Sequence, residues 1–514
     1  MSDGFPPRAF SAVLVNGLAV LLMLGAVLPF LVVPYFPAVD LWTHLAVSEV
    51  HHQVLTGTGP LADSYRIEWS PYPYWAGHVV LGVLRRILPV LQSGHAALAL
   101  SHVMLVAGAW ALAHAVGLPR HLRLLAFAAC FSMPVWYGFV TYALALGPSL
   151  ATLAVLLWAM RALTPSRWLA GASALVVLFL LHVEAWGPCG VLAGTAALAH
   201  PDRRARLARL LMCSAPSLLL AAVWARSHAT SGEDPVILSY GPPKDRLGLW
   251  QYHHLLDAGV TGMVPALVVC GAVVAVALWL ARGRPRDTLD EPWRNTLGLA
   301  AGAALLHLAL PKSIDGGGMP AWGFFLRTGA LTTVTAMLCW ARLPARLQAP
   351  AVAAVLLTTV GMDVQAWQFA RAFSAEVAPL DARLAQTPPG TTGLVVSAAH
   401  ADEFGTGQVH FLEHLGGLWL VRGAVTTQFF RSTCTLLGLT HEGRPRDHLG
   451  VLLHQPVTTW TEHVQQVLQQ GADAALASDL EAAGYQRAWS HGRWTLWELR
   501  SGVGTNSDSP APPR

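Results

Sequence analysis

The sequence predicts a polytopic α-helical membrane protein of about 11 spans with a small C-terminal extracytoplasmic α/β domain. Three observations predict it. The 514 residues are 54% hydrophobic and only 12% charged, with a mean hydropathy of +0.45, unlike an ordinary soluble domain. Apolar runs long enough to approach or cross a bilayer recur as far as the region around Val360. Arginine-dense loops alternate with arginine-poor ones, so that all the arginine-dense loops fall on one side, as short cytoplasmic loops do. The net charge of +4 is small and scattered and offers no face to nucleic acid.

The first span covers about residues 11 to 33, since twenty-odd residues at 1.5 Å each reach roughly 30 Å. Arg8 ahead of Ala12 imitates a signal peptide, but the run is long enough to cross and more follow, so it reads as an uncleaved anchor. Pro34 and Pro37 end it. Further spans are predicted at about 95 to 117, 124 to 146, 148 to 161, 168 to 185, 186 to 199, 210 to 228, 259 to 281, 295 to 311, 328 to 343 and 349 to 367.

With the N-terminus inside, Arg120 and Arg123, Arg161 and Arg167, Arg203 to Arg209, Arg282 to Arg294, and Arg342 and Arg346 all fall on the cytoplasmic side. This requires Tyr74 to Leu91, with Arg85 and Arg86, to lie along the outer surface without crossing. The outer loop at about 34 to 94 then belongs to a transmembrane domain over about 1 to 370. A soluble periplasmic domain over about 371 to 500 follows, with a Ser-, Pro- and Gly-rich disordered tail over about 501 to 514. In that domain Phe373 to Leu384 reads as an amphipathic helix and Gly393 to Ser397 as a buried strand. Thr461 to Gln470 reads as a helix ending at Gly471, and Ala474 to Ala477 and Trp494 to Leu499 as strands.

Four outward clusters carry the candidate chemistry, because ionisable groups near membrane depth are costly and functional by default. The first is Asp40, His44 and Glu49, followed by Asp63, Arg66, Glu68 and the aromatics Trp69, Tyr72, Tyr74 and Trp75. Asp40 and His44 are four apart and share a helical face, although Asp is also a favoured N-cap. The second is His182 with Glu184; the third is Tyr252, His253, His254 and Asp257. The fourth is Lys312, Asp315, the triple glycine at 316 to 318 and Arg327. Plainer roles stand beside these: an interfacial histidine at His182, a surface pair at His253 and His254, snorkelling anchors at Lys312 and Arg327, and an aromatic belt. Together they fit transfer from a lipid phosphate. Asp40 accepts the proton of an acceptor hydroxyl attacking the anomeric carbon, His44 orients it, and Lys312 or Arg327 neutralises the phosphate.

None of the six cysteines, Cys130, Cys189, Cys213, Cys270, Cys339 and Cys434, forms a CxxC or disulfide pattern, and no GxGxxG, P-loop, HExxH or repeat is present. One aspartate beside a histidine is a poor Mg²⁺ cage, so the residues call for no cofactor and leave dependence on a divalent metal open.

At these residues the chain resembles the GT-C superfamily of membrane glycosyltransferases, in particular bacterial relatives of the dolichyl- or undecaprenyl-phosphate-sugar-dependent enzymes. The features that carry it are Asp40-Leu-Trp-Thr-His44 after the first span, the segment Glu68 to Trp75, His182, the loop from Leu310 to Gly318 followed by Arg327, and the C-terminal soluble domain. The resemblance implies an inner-membrane enzyme, Asp40 as base, and a polyprenyl-phosphate-linked sugar as donor on the periplasmic face. Glu49, Arg66, Glu68, His182, Glu184, Lys312 and Arg327 are the candidate substrate and phosphate ligands, and the acceptor is a glycan, lipid or protein. Two departures stand out: Asp40 is followed by Leu41 and Trp42 rather than a second acid, and Val135 to Tyr142 has no carboxylate, leaving Glu184 or Glu49 to substitute. A transporter or lipid-handling protein and an envelope-assembly protein are the competing classes.

Overall fold

The computed structural model describes residues 12–62, 65–67, 73–228, 237–240, 290–311, 313–315, 321–322, 327, 331, 334–335, 338, 345–397, 416–422, 425–426, 439–441 and 455–500. The predicted span at 259 to 281, the cluster at Tyr252 to Asp257, and Glu68 and Lys312 lie outside the described residues, as does most of the span predicted at 328 to 343.

The chain is a helical membrane protein with a small C-terminal mixed sheet. Four described helices are long and apolar enough to cross a bilayer: α1 (Ala12–Val32), α4 (Val90–Ala115), α6 (Val140–Arg161) and α9 (Arg203–His228). Between α1 and α4 lie α2 (Leu41–Thr56) and α3 (Trp75–Ile87). At 13 residues, about 20 Å, α3 is too short to span. The helices α7 (Pro165–Leu181), α8 (Val183–Leu198) and α10 (Glu291–Ala309) complete the described bundle.

Two predicted boundaries need correction. The segments read as spans at 124 to 146 and 148 to 161 are instead a 3-10 helix (Arg120–Ala129), a single turn α5 (Met133–Trp136), and the unbroken α6. Gly147-Pro148 looked like a break. In the fold, α6 runs through it, and the bare Gly147 lets its backbone pack directly on Met104 and Gly108 of α4. The 3-10 stretch rises about 2 Å per residue, about 20 Å over its ten residues. Its non-α backbone is tolerated because Leu122, Leu124, Leu125 and Phe127 bury it against α1, α4 and the helix at 345–384.

Arginine-bearing ends collect at one end of the bundle. Arg161 meets Glu291 at 3.1 Å, Arg206 meets Glu291 at 3.2 Å and Asp202 at 2.9 Å, and Arg209 donates to the Met160 carbonyl at 2.7 Å. The loop after α1 is stitched to the opposite end, where Val39 N donates to the Trp136 carbonyl at 3.2 Å and Asp40 N to that of Tyr137 at 2.8 Å. This sorting of the two ends matches the alternation read from the arginines.

The predicted amphipathic helix at Phe373 to Leu384 is not separate. It continues the last span as α11 (Ala345–Leu384), 40 residues or about 60 Å long. Short pairings β1 (Tyr65–Ile67) with β7 (Leu439–His441), and β2 (Ile237–Ser239), β3 (Ser313–Asp315) and β4 (Ala321–Trp322), lie between the helical segments in sequence. The C-terminal sheet runs β6 (Val425–Thr426), β5 (Thr392–Ser397), β8 (Gln466–Gln470), β10 (Trp494–Leu499), β9 (Tyr485–His491). β5 is parallel to β6 and β8, and β10 is antiparallel to β8 and β9.

Here the sequence reading had helix and strand interchanged. Gln466 to Gln470 form a strand buried along its length, and α13 (Ala474–Ala482) is a helix capped by Asp473, which accepts from Leu476 N at 3.0 Å. The short helix α12 (Gly416–Val421), between β5 and β6, packs on α2. Three polar glutamines disguised the strand. In the fold Gln466 donates to Glu498 at 2.9 Å and Gln469 accepts from the Trp497 indole at 2.9 Å, so their burial leaves those groups satisfied.

One face of this sheet joins the transmembrane core. Leu468, Trp494 and Leu496 share a cluster with Phe373, Val377 and Leu380 of α11 and with Phe30, Phe36 and Trp42 around the first loop. The Trp42 ring lies between Tyr35 and Phe373, each 6.4 Å away. Gly417 of α12 abuts the Trp42 backbone so closely that a Cβ there would collide. Arg422 clamps Asp381 of α11 through two nitrogens, Nε at 2.6 Å, and the Tyr35 hydroxyl donates to the same carboxylate at 2.5 Å. The C-terminal domain therefore braces the loop that presents Asp40.

Candidate active site

Asp40 begins α2, but its side chain makes no capping bond. The backbone does the holding. Beyond the two hydrogen bonds to 136 and 137, Gly138 at φ 69° lies against it; a Cβ there would sit 2.5 Å from Leu41 N and 2.8 Å from Asp40 N. Only glycine meets both demands, a left-handed backbone and no side chain.

His44 follows one turn along α2, its ring 5.4 Å from His78 of α3, and His78 in turn is 6.1 Å from His51. His78 is 3% exposed and neither ring nitrogen has a partner among the described residues. Burial, then the neighbouring His44 and His51, holds its pKa well below the usual histidine value, so it is neutral at pH 7.

Tyr74 at the start of α3 is, among the described residues, the one non-glycine with positive φ, at 79°. Its ring meets that of His182 edge-on at 4.2 Å, and Tyr142 of α6 meets His182 from another side at 5.0 Å. Burial, then the nearby Glu184, raises the Tyr74 phenol, which stays protonated. A non-glycine residue held at positive φ stores strain that the surrounding contacts must hold in place.

His182 is the extended residue that separates α7 from α8, with φ of −169°. Glu184 follows in the first turn of α8, and its Oε2 pairs with Arg327 Nη1. The Arg327 guanidinium lies over the Phe139 ring, 4.1 Å from its centroid. Arg327 lies within the electrostatic field of Asp40, Glu184 and Tyr74, and His182 within that of Arg327, His44 and His78. Residues from the first loop, α3, α6, α8 and the segment at 327 thus surround one place.

The chain has the ArnT fold. It superimposes on the crystal structure of ArnT from Cupriavidus metallidurans bound to undecaprenyl phosphate with a TM-score of 0.54 and 13% identity, over 95% of this chain and 99% of that one. The apo ArnT structure gives 0.54 and 13% over 94% and 97%. At this identity the likeness shows the fold alone. No protein-family model matches the chain, and no curated protein matches it in sequence.

Of the residues singled out from the sequence, the structure brings together Asp40, His44, His182, Glu184 and Arg327. Two others lie elsewhere. Glu49 is bonded to Arg85 of α3 at 2.8 Å and accepts from Gln53 at 3.3 Å, about 13 Å along α2 from Asp40. Arg66 is on the exposed side of β1, in register with Thr440. Among the described residues, no three His, Cys, Asp or Glu side chains are grouped to hold a metal ion. Sequence reasoning had not assigned His78, Tyr142, Phe139 or Gly138 to the site, and it had offered Tyr74 only as part of an aromatic belt or groove. The one available signal was the spacing of Tyr74 and His78, four apart on a short amphipathic helix.

Proposed function

We propose that the chain is a membrane glycosyltransferase that moves a sugar from a polyprenyl-phosphate carrier to an acceptor hydroxyl, with the Asp40 end extracytoplasmic. One observation carries the reading: in an ArnT-like fold, Arg327 is brought from nearly three hundred residues away into the field of Asp40. An anion-holding group beside a carboxylate base is what the reaction needs. Undecaprenyl phosphate bound to ArnT supports a carrier of that class.

The acceptor oxygen forms a bond to the anomeric carbon while that carbon's bond to the phosphate oxygen breaks. The bonding pair leaves with the phosphate, whose charge Arg327 offsets, and the hydroxyl proton passes to Asp40. His44 orients the carboxylate. Tyr74, kept protonated by burial, donates a hydrogen bond to the departing phosphate in this reading.

The test is Asp40→Asn in cells lacking the chromosomal copy, reading surface glycans by mass spectrometry at matched protein level. Loss of a general base lowers the rate about 10²- to 10⁴-fold, so the glycan is expected to vanish with membrane insertion intact. A wild-type glycan profile from Asp40→Asn would refute the mechanism.

A further inference from the structure

Around the Glu184–Arg327 pair, the Tyr142 hydroxyl, His182 Nδ1, Glu184 Oε1 and Arg327 Nε are buried with no hydrogen-bond partner among the described residues. Tyr142, His182 and Glu184 are 0%, 2% and 5% exposed. Buried polar groups left so are costly unless a ligand completes them. They are not scattered. Tyr142 touches His182, Glu184 is bonded to Arg327, and Tyr142 lies in the field of both charged groups.

The set is mixed: a carboxylate oxygen that only accepts, a guanidinium nitrogen that only donates, and a phenol that does both. A bare phosphate satisfies the two donors, Arg327 Nε and the Tyr142 hydroxyl, but offers Glu184 Oε1 no hydrogen and is repelled by that carboxylate. The ligand must therefore carry a hydrogen-bond donor close to its anion. Because Glu184 and Arg327 are bonded to each other, those two ligand groups are only a few ångströms apart. In a sugar joined to phosphate through its anomeric carbon, the hydroxyl on the adjacent carbon has that relation.

We propose that Glu184 and Tyr142 read the hydroxyl next to the anomeric carbon of the donor sugar while Arg327 holds the phosphate. This rests on the transferase reading above and deepens it. Glu184 Oε1 accepts from the hydroxyl and the Tyr142 phenol donates to its oxygen. Hydrogen bonds to that hydroxyl strengthen as the ring gains oxocarbenium character, so the same contacts favour the transition state. Donors lacking the hydroxyl, such as 2-deoxy or 2-acetamido sugars, are disfavoured.

The experiment uses the full-length protein in detergent and native mass spectrometry to measure affinity for farnesyl phosphate, for farnesyl phosphoryl-glucose and -mannose of one anomeric configuration, and for the 2-deoxy form that these C2 epimers share. Wild type is expected to bind at least one hydroxylated probe about tenfold more tightly than its 2-deoxy form, the worth of a hydrogen bond to a charged group. Tyr142→Phe, which removes an unpartnered hydroxyl and so keeps the fold, and Glu184→Gln are each expected to shrink that gap to threefold or less. Absence of the gap in wild type, or a gap that survives in Tyr142→Phe, overturns the inference while binding of farnesyl phosphate leaves the transferase reading standing. Failure of wild type to bind any of the phosphates overturns both.

Discussion

Two glutamate–arginine pairs in this protein look alike in sequence and differ in the fold. Glu49 and Arg85 link α2 to α3, and their polar atoms are well used: Gln53 donates to Glu49 Oε1 at 3.3 Å, Arg85 Nε to Oε2 at 2.8 Å, and Arg85 Nη1 to the Leu88 carbonyl at 3.5 Å. The pair is partly open, with side chains 11% and 21% exposed. Glu184, only 3% exposed, shares one oxygen with Arg327, and Glu184 Oε1 and Arg327 Nε have no described partner. A fully used pair is a fastener. On the proposal above, a half-used, buried pair amid tyrosines and a histidine takes up a ligand, because burying it incomplete costs stability that packing alone does not return.

The comparison breaks most sharply when one partner is removed. Arg327→Met leaves the Glu184 carboxylate buried and uncompensated, and is expected to cost about 3–5 kcal/mol. The double variant Glu184→Gln with Arg327→Met is expected to recover most of that in thermal unfolding while making no glycan. Recovery of glycan synthesis by the double variant would show that the pair is structural.

The next effect falls on the backbone that carries Asp40. Gly138→Ala imposes a side chain on a left-handed residue and against Asp40 N, with an expected cost of about 1–3 kcal/mol. Displacing the base by even about 1 Å is expected to lower glycan formation up to a hundredfold. Glu49→Gln, at the fastener, is the control. It is expected to cost about 1 kcal/mol or less in thermal unfolding and leave glycan formation unchanged. Equal glycan loss in Gly138→Ala and Glu49→Gln would erase the distinction between the two regions.

The same comparison shows what was legible beforehand. Membrane class and the sorting of arginines were readable because hydropathy and loop charge are local patterns, and the spacing of four put Asp40 and His44 on one turn of α2. The helix break at His182 lay within a few residues of the predicted boundary. The fate of the two glutamates was not readable. Whether Glu49 or Glu184 meets an arginine that is already satisfied depends on Arg85, 36 residues on, and on Arg327, 143 residues on. Helix and strand at 461–482 were interchanged because Gln466, Gln469 and Gln470 hide a buried strand whose partners, Glu498 and Trp497, come later in the chain. The Gly147-Pro148 pair misled for a related reason: glycine there serves a helix crossing, a tertiary demand.

The smallest effect tests whether the histidines beside the Glu184–Arg327 pair are held neutral. An unfolded histidine takes up its proton near pH 6.5. His78, buried against His44 and His51 and within reach of His182, takes it up only at lower pH when folded. As pH falls below about 6.5 the unfolded chain therefore binds more protons, and stability drops; above that pH the contribution is fully present. For one histidine the loss between pH 7.5 and 6.0 is about 0.8 kcal/mol. His78→Gln is expected to remove that share of the acid-side fall in melting temperature, measured against wild type at the two pH values. An unchanged fall would mean that His78 is protonated in the fold, and its charge would then oppose that of Arg327 across the site.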